Sequence, residues 1–397
     1  MGSRLWRAVE AWNYWKRKPA TGVPREVSAK ILTMVDGHEA VFLYGPRRAG
    51  KTTVCLQLLE RLSVVHGSRS CLYLNFEEPV FASRLDAGLI EDMVGEFAGE
   101  FGREPEFVFL DEVQNVALWE RWVRTAVDRK RFKVFVTGSS AKLLSSEFST
   151  SLGGRGLGFL VMPFSWREFK AARSDWSFKD YLAAGGYPAV VLQADAEKRR
   201  LLLNEYFETA VARDVALRFG VRDVQALRSL AAYVLTNSGS MVSYNKLRGM
   251  TGLSFDAIRA HLEHLQDAFL VFQVPHFSYS LKKALEKPRK YYAVDLGMQA
   301  AISQSFSPDE GRRLENAVAS ELLARGASFY YYRNRHEVDF VVRKGRMLEA
   351  INVCSSKMPP QREAEGLAEF AEAHGKAATR LLAGEGAVRK WVEEGAA

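Results

Sequence analysis

Four residues at a fixed spacing are suited to binding phosphate: Gly45 and, after four intervening positions, Gly50, Lys51 and Thr52. Glycines let the backbone curl until successive N–H groups point at phosphate oxygens. The lysine would neutralise the β- and γ-phosphates, and the adjacent hydroxyl would reach Mg²⁺. The pattern therefore predicts a nucleoside triphosphate site. The predicted loop residues are Gly45, Pro46, Arg47, Arg48, Ala49, Gly50, Lys51, Thr52 and Thr53.

Two adjacent carboxylates, Asp111 and Glu112, end the apolar run FVFLDE. An acidic residue at the tip of a parallel strand beside a phosphate loop can hold Mg²⁺ together with Thr52. A second carboxylate next to it can polarise the attacking water as a general base. Such pairs also occur at ordinary strand ends on protein surfaces. The neighbouring loop favours the catalytic interpretation, with Asp111 as metal ligand and Glu112 as base.

Two further positions are candidates for catalysis, and each has a structural alternative. Ser139 follows the strand KVFVT and could orient the attacking water, or could cap the next helix. Arg155 lies in the glycine-rich stretch SLGGRGLG. It could serve as an arginine finger, in cis or toward a neighbouring subunit, or belong to a plain surface loop. The residues leave these alternatives open.

Alternating strands and helices must position these side chains. Such alternation predicts an α/β fold with a parallel sheet that helices cover on both faces. The predicted strands are 41–44, 71–76, 106–111, 133–137 and 157–162, and the predicted helices are 51–64, 89–101 and 117–127.

The pattern becomes almost wholly helical between 163 and 268. Segments 244–250 and 254–265 predict a helix-turn-helix, and strand-like segments follow at 269–274 and 290–294. This is the layout of a winged helix-turn-helix whose wing is basic. The wing could contact nucleic acid, or the module could be structural and bind protein. The candidate nucleic-acid contacts are Lys282, Lys283, Lys287, Arg289 and Lys290.

A third section combines a helix with three closely spaced strands. The helix is predicted at 315–326 and the strands at 328–333, 337–343 and 347–353, followed by two more helices. We therefore expect three domains. They are an ATPase-like domain at 1–190 with an N-terminal helix at 1–20, a helical and winged-helix domain at 191–300, and a small α/β domain at 301–397.

Composition narrows the class of protein. The chain has 397 residues and a formal charge of +8, which weakly favours an acidic partner such as DNA. Its three cysteines show no C-x-x-C spacing, which argues against a disulfide framework and favours a cytoplasmic location. No apolar run approaches the ~18 residues that span a bilayer, so no transmembrane segment is expected. An apolar stripe in the N-terminal helix is expected to dock on the chain's own core; it comprises Leu5, Val9, Trp12 and Trp15.

Several motifs in this order resemble the prokaryotic AAA+-type ATPases of the archaeal ATPase group. They are GPRRAGKTT, LDEVQN, VTGSS, GGRG, PFSWREF, GGYP and ENAVASEL…EVDFVV. They look most like the subgroup with a C-terminal domain of unknown function related to restriction endonucleases. The resemblance implies a P-loop sheet of the AAA+ (ASCE) type, ATP as the nucleotide, Ser139 as a sensor and Arg155 as the candidate finger. It also implies a winged helix on the lid side; a homo-oligomer or a protein client is a further expectation.

The C-terminal section departs from the nuclease pattern. Restriction-endonuclease-like sites use a helix glutamate, a strand aspartate and then Glu/Gln-x-Lys on the next strand. Glu315 and Asp339 match the first two places, whereas Asn352 and Cys354 stand where the glutamate and lysine are expected. A neutral amide is a weak metal ligand and a thiol supplies no cation. We therefore interpret this section as a nuclease fold that has lost cleavage and keeps a binding role.

These expectations combine into one function and two alternatives. The sequence predicts a Mg²⁺-dependent ATPase whose turnover drives a conformational change in appended DNA- or protein-binding domains. One alternative is an ATP-gated regulator that binds nucleic acid and hydrolyses ATP slowly. The less favoured alternative is a metal-dependent nuclease.

Overall fold

The computed structural model describes residues 4–138, 153–303, 309–375 and 377–395. It divides into two compact units, Met1–Val161 and Met162–Ala397. The predicted boundaries near 190 and 300 remain predictions. In the part of the chain that the structure describes, none of the helices has the length and apolar character needed to cross a membrane.

The first unit is built on a parallel sheet of five strands in the order β2-β3-β4-β1-β5. This confirms the predicted α/β class. Strand β4 lies between the strand that leads into the phosphate loop, β1, and the strand that ends in the acid pair, β3. The strands are β1 (Ala40–Tyr44), β2 (Cys71–Asn75), β3 (Phe107–Asp111), β4 (Lys133–Thr137) and β5 (Gly156–Leu160).

Helices cover both faces of this sheet because alternate strand residues point to opposite sides. Phe42 of β1 belongs to one apolar core, whereas Val41 and Leu43 belong to the other. The first core includes side chains of α1, α4 and α5, and the second includes side chains of α2 and α3. These helices are α1 (Arg4–Trp12), α2 (Glu26–Leu32), α3 (Lys51–His66), α4 (Ala87–Phe101) and α5 (Trp119–Asp128).

The N-terminal helix packs on the core of its own unit, as expected, but is shorter than the predicted span 1–20. It ends at Trp12, and the residues buried on it are Trp6 and Val9. Asn13 follows the helix and is fully buried against edge strand β2. Its side chain accepts from the Tyr73 amide (2.7 Å) and donates to the Tyr73 carbonyl (2.8 Å). One side chain thus satisfies main-chain groups that the edge of a sheet would otherwise leave unpaired.

The second unit begins with helices and a short antiparallel pair, β6–β7. Ser254 caps a helix by accepting from the Ala257 amide, as its position in the sequence indicates. The expected wing, between β6 and β7, contains a short helix. The elements are α6 (Trp166–Ala172), α7 (Phe178–Ala184), α8 (Pro188–Val191), α9 (Ala196–Thr209), a π-helix (Ala210–Leu217), α10 (Val224–Thr236), α11 (Tyr244–Thr251), α12 (Phe255–Asp267), β6 (Val271–Val274), α13 (Leu281–Glu286), β7 (Lys290–Ala293) and α14 (Leu296–Ile302).

The same unit ends in a four-stranded sheet of order β11-β10-β9-β8. The three predicted strands are present with bounds within one residue of those expected. Strand β11 was not predicted, because it is a mostly exposed edge strand with little apolar periodicity. The elements are α15 (Glu310–Ala324), β8 (Ser328–Arg333), β9 (Glu337–Lys344), β10 (Met347–Cys354), α16 (Gln361–His374), β11 (Ala378–Ala383) and α17 (Gly384–Glu394).

Candidate nucleotide site and a buried carboxylate cluster

The predicted phosphate loop connects β1 to α3, and glycines occupy its tightest points. A Cβ on Gly45 would lie 2.2 Å from the Val161 carbonyl oxygen, so no side chain fits there. Gly50 precedes α3 with φ 95°, in the left-handed region that glycine tolerates. Helix α3 therefore begins at the loop, with its positive dipole end toward it.

Lys51 is buried within the loop that it follows. Its side chain is 4% exposed, and Nζ donates to the carbonyl oxygens of Gly45 (3.1 Å) and Pro46 (2.9 Å). A second cation, from outside the loop in sequence, also stabilises it. Arg25 is buried, and its guanidinium donates to the Ala49 carbonyl (2.6 Å). The loop is thus held in a curled form by two cations that bind its own carbonyl groups.

Asp111 is the centre of a hydrogen-bond network beside the loop. Its Oδ2 accepts from the Thr52 hydroxyl (2.8 Å) and from the Tyr73 hydroxyl (2.6 Å). Its Oδ1 accepts from the Thr137 hydroxyl. Asp111 is 1% exposed, so these three hydroxyl groups replace the water that an exposed carboxylate would bind. The network joins α3 to the ends of β3 and β4 and to β2.

Burial decides the electrostatics of this carboxylate. Burial raises the pKa of Asp111, the hydroxyls of Thr137, Tyr73 and Thr52 lower it in part, and the charge of Glu112 raises it again. A cation bound at Thr52 and Asp111 would favour the charged form. The hydroxyl and carboxylate oxygens are the donor type that Mg²⁺ prefers, so these residues fit that ion.

Glu112 adopts a backbone conformation that is uncommon for a residue with a side chain. Its φ is 53°, and its amide donates to the Thr137 hydroxyl oxygen (3.0 Å). Its half-buried carboxylate accepts from the Gln114 side chain. Residues held at positive φ store about 1 kcal/mol or more and cluster at functional sites. After this turn the two neighbouring carboxylates have different partners, since Asp111 binds the three hydroxyl groups and Glu112 accepts from Gln114.

The two other proposed catalytic residues have different outcomes. Ser139 lies outside the described residues. Thr137, two positions earlier, is the residue of this strand that reaches Asp111.

Arg155 directly precedes β5 and forms an ion pair with Asp128. The first residue of β5 pairs with Ala40 at the start of β1. The phosphate loop follows the opposite end of β1, which lies about 13 Å from Ala40 at ~3.3 Å per residue. This separation opposes a role for Arg155 in cis.

Tyr73, Thr137 and Arg25 were not identified as site residues from the sequence. Arg25 lies in an unremarkable segment before α2, and no spacing marks it. Tyr73 does carry a signal, because a tyrosine in the buried strand CLYLN needs a partner for its hydroxyl group. The sequence could not name that partner, which lies on a neighbouring strand.

In the second unit, the proposed nuclease-like positions surround a lysine from another element. Lys290 of β7 contacts Glu315 (3.0 Å), Glu337 (2.5 Å) and Asp339 (3.7 Å). Lys290 is 2% exposed, so it is not available to nucleic acid. The prediction that Lys290 is a nucleic-acid contact of the basic wing is therefore wrong, because its side chain points from β7 into the protein.

Of the two remaining nuclease-like positions, Asn352 has a structural role and Cys354 has no role in this cluster. Asn352 is fully buried, and its Oδ1 accepts from the Asp339 amide (3.0 Å). Its amide nitrogen donates to the carbonyl oxygens of Glu337 (3.3 Å) and Glu363 (3.1 Å). Cys354 ends β10 as a half-buried free thiol. Across the described ranges, no group of three or more His, Cys, Asp or Glu side chains is arranged to hold a metal ion.

Two residues of the basic wing, Lys287 and Arg289, line a groove of about 630 Å³. Lys282, Lys283 and Lys287 are exposed, and Arg289 is half-buried. The groove runs along the exposed face of α12 and carries both rings and charges. Its lining includes Tyr244, Phe255, Arg259, Glu263, Gln266, Gln273, Leu285, Glu286, Lys287, Pro288, Arg289 and Tyr291.

Three family models match successive parts of the chain. Residues 37–170 match an AAA domain, residues 175–309 match a domain of unknown function (DUF8612), and residues 310–396 match another (DUF4143). A solved structure, AMPPCP-bound DnaA from Aquifex aeolicus, aligns with 64% of this chain and 91% of its own at 13% identity. Its TM-score is 0.32, which is too low to support a conclusion about function.

Among the relatives that match most of the chain, two are 30% identical to it. Uncharacterized protein MJ1544 of Methanocaldococcus jannaschii is 30% identical over 374 residues, which cover 88% of this chain and 81% of that protein. An uncharacterized protein of Haemophilus influenzae is 30% identical over 315 residues, covering 76% of this chain and 78% of that protein. The chain therefore belongs to the same family as these two proteins, and its N-terminal part is an AAA-type P-loop ATPase domain.

Proposed function

We propose that the protein hydrolyses ATP in a Mg²⁺-dependent reaction at the loop Gly45–Thr53. The observation that carries this proposal is the hydrogen bond from Thr52 to Asp111 (2.8 Å), which brings the end of the loop together with the acid strand. A phosphate loop alone supports nucleotide binding. A loop joined to a buried carboxylate, with a second carboxylate next to it, supports hydrolysis.

Each residue has a separate role in this reaction. The N–H groups of the loop and the Lys51 ammonium bind the β- and γ-phosphates, which requires Lys51 to leave the carbonyls of Gly45 and Pro46. Thr52 and Asp111 would hold Mg²⁺, which would supply positive charge against the phosphate oxygens. Glu112 accepts a proton from the attacking water as general base, and Ser139 orients that water.

The decisive experiment compares ATP turnover of the full chain with that of three variants. Lys51→Ala and Glu112→Gln should each lose turnover, while Lys30→Ala, an exposed lysine on α2, should match the wild type. Glu112→Gln should still bind ATP, because the amide keeps the shape of the side chain and loses only its basicity. Wild-type turnover in Lys51→Ala would rule the proposal out.

Turnover is proposed to drive a conformational change in the appended parts of the chain. We propose the division 1–190, 191–300 and 301–397, with a winged helix in the second part and an inactive nuclease-like fold in the third. Arg155 is proposed to act on the site of a neighbouring subunit, since its separation from its own loop opposes action in cis. Mass determination with ATP would test the homo-oligomer that this requires.

A second proposed function is ATP-gated binding of nucleic acid in the groove beside α12. The groove offers three cations, Arg259, Lys287 and Arg289, against two acidic side chains, Glu263 and Glu286. It also offers the exposed ring of Phe255 and the half-buried ring of Tyr244, whereas Tyr291 is buried. Cations interleaved with aromatic rings can hold phosphates and stack bases, and this combination supports a nucleic-acid strand as ligand.

The test measures binding of labelled single- and double-stranded DNA over a range of salt concentrations. The triple variant Arg259→Ala, Lys287→Ala, Arg289→Ala should bind more weakly and should reduce the salt slope, by about 0.7–0.9 for each phosphate that the protein no longer neutralises. The matched control removes three cations elsewhere in the same unit, namely Lys198, Arg200 and Arg222. If both triple variants lost affinity equally, net charge alone would explain the loss, and the groove would be ruled out as the binding site.

A further inference from the structure

Three carboxylates converge on the ammonium group of Lys290. Nζ lies 3.0 Å from Glu315 Oε1, 2.5 Å from Glu337 Oε1 and 3.7 Å from Asp339 Oδ1. Glu315 comes from α15, whereas Glu337 and Asp339 are two residues apart on β9 and share one face of the strand. The lysine side chain is only 3% exposed, so the carboxylates and not water solvate it.

The carboxylates are held in place by groups other than the lysine. The Tyr292 hydroxyl donates to Glu315 Oε1 (2.6 Å), and the Val353 amide donates to Asp339 Oδ2 (2.8 Å). Asn352 binds the Asp339 amide and the Glu337 carbonyl, which joins β9 to β10 at this point. Groups of the fold thus hold the carboxyl groups of Glu315 and Asp339 independently of the ammonium group, and Arg333 pairs with Glu337 (3.7 Å).

The charges make a cation necessary at this position. Burial would lower the pKa of Lys290, but the charges of the surrounding groups, Glu315 first, raise it well above its usual range. Burial raises the pKa of Asp339, and the charge of Glu315 raises it further. Three carboxyl groups thus face Lys290, and the other oxygen of Glu337 also pairs with Arg333 (3.7 Å). A buried carboxylate without a counterion is strongly disfavoured.

With Lys290 in place, the carboxylate oxygens are spaced for its ammonium group and not for a bare metal ion. Oxygen ligands lie at about 2.0–2.1 Å from Mg²⁺ and at about 2.3–2.6 Å from Ca²⁺. Here the three oxygens lie at 2.5–3.7 Å from Nζ, the range of ammonium hydrogen bonds and ion pairs. The lysine reaches this point from β7, outside the region 310–396 that supplies all three carboxylates.

We propose that Lys290 is the resident cation of the carboxylate site formed by Glu315, Glu337 and Asp339, and that its ammonium group excludes divalent metal ions from this site. The C-terminal sheet is then held to β7 by an ion cluster and performs no metal-dependent cleavage. Removing the ammonium group should let these carboxylates close on a divalent cation, which their present spacing around Lys290 does not allow. This inference does not depend on ATP hydrolysis.

The test counts Mn²⁺ ions bound to the nucleotide-free full chain by electron paramagnetic resonance. Lys290→Ala should bind one Mn²⁺ more per chain than the wild type, and the double variant Lys290→Ala, Asp339→Asn should lose that ion. Lys287→Ala removes an exposed lysine of the same segment and should behave as the wild type. Equal Mn²⁺ binding by the wild type and Lys290→Ala would overturn the proposal.

A second measurement uses the wild-type chain and so does not depend on how the variant folds. An amine-acylating reagent, followed by peptide mass analysis, should modify the exposed Lys287 and leave Lys290 unmodified, with or without millimolar Mn²⁺. Modification of Lys290 once Mn²⁺ is added would mean that metal displaces the ammonium group. That result would overturn the exclusion.

Discussion

At the scale of the residue, the candidate site depends on how a buried carboxylate is satisfied. Asp111 is almost inaccessible, and three hydroxyl groups from Thr52, Tyr73 and Thr137 bind it. Hydrogen bonds to a charged group contribute about 1.5–3 kcal/mol each. Tyr73 is a positioning residue in this network, since it acts on the nucleotide only through Asp111.

We predict that Tyr73→Phe lowers ATP turnover and moves its acid limb to higher pH. The hydroxyl of Tyr73 lowers the pKa of Asp111, so its loss leaves more of the carboxyl group protonated at a given pH. The protonated form binds Mg²⁺ poorly, and the Mg²⁺ concentration for half-maximal turnover should rise about tenfold if about 1.4 kcal/mol is lost. The measurement is turnover against pH and Mg²⁺.

Tyr279→Phe is the matched control, because this tyrosine is 78% exposed. It removes the same hydroxyl group without touching a buried carboxylate. An unchanged pH profile in Tyr73→Phe would show that the ring only packs between the strands.

At the scale of the element, a glycine turn of the second unit is held by the N-terminus of α14. Asp295 caps this helix by accepting from the Met298 amide (2.8 Å) and also accepts from the Gly186 amide (2.7 Å). A Cβ on Gly186 would lie 2.4 Å from the Phe164 carbonyl oxygen, so the turn has no room for a side chain. Complete burial raises the pKa of Asp295 to about 6, although the backbone amides, Gly186 first, oppose this.

We predict that the stability of the wild type falls, relative to Asp295→Asn, as pH rises through about 6. The folded chain holds the Asp295 proton more tightly than the unfolded chain, so the stability gained from it is complete below the unfolded pKa near 3.8 and is lost above the folded pKa. Between about pH 5 and about pH 7.5 the expected loss is about 1.4 kcal/mol. Urea unfolding of the full chain at both pH values measures it.

The matched control for this prediction is Asp256→Asn, since the Asp256 side chain is 94% exposed. Its unfolding free energy should follow that of the wild type at both pH values. A constant difference between the wild type and Asp295→Asn across this range would contradict the prediction.

At the scale of the whole molecule, the chain forms two compact units although three family models match it. The regions 175–309 and 310–396 share the second unit. Asn316 of α15 is fully buried, accepts from the Ala293 amide of β7 (3.0 Å) and donates to its carbonyl oxygen (3.0 Å). With the Lys290 cluster, this contact makes β7 one of the segments that connect the last sheet to the helices before it.

Local pattern explains which parts of the fold were predictable. A strand such as β3 is buried on both faces and reads as a continuous apolar run, and Ser254 is a helix cap by residue type and position. The exposed strand β11 lacks such a pattern. The sequence also did not predict that the Lys290 side chain is buried. Its neighbours Lys287 and Arg289 belong to a basic segment, and a lysine in such a segment is usually solvated.

The sequence by itself determined the phosphate loop, the acid pair Asp111–Glu112 and the parallel α/β class, since each depends on residue types within a few positions. Only the tertiary structure decided which distant side chains meet. Thr52 and Asp111 are 59 residues apart in sequence, and Lys290 reaches Asp339 from another region of the chain. Those contacts follow from strand order and burial, which impose pairings that no local spacing encodes.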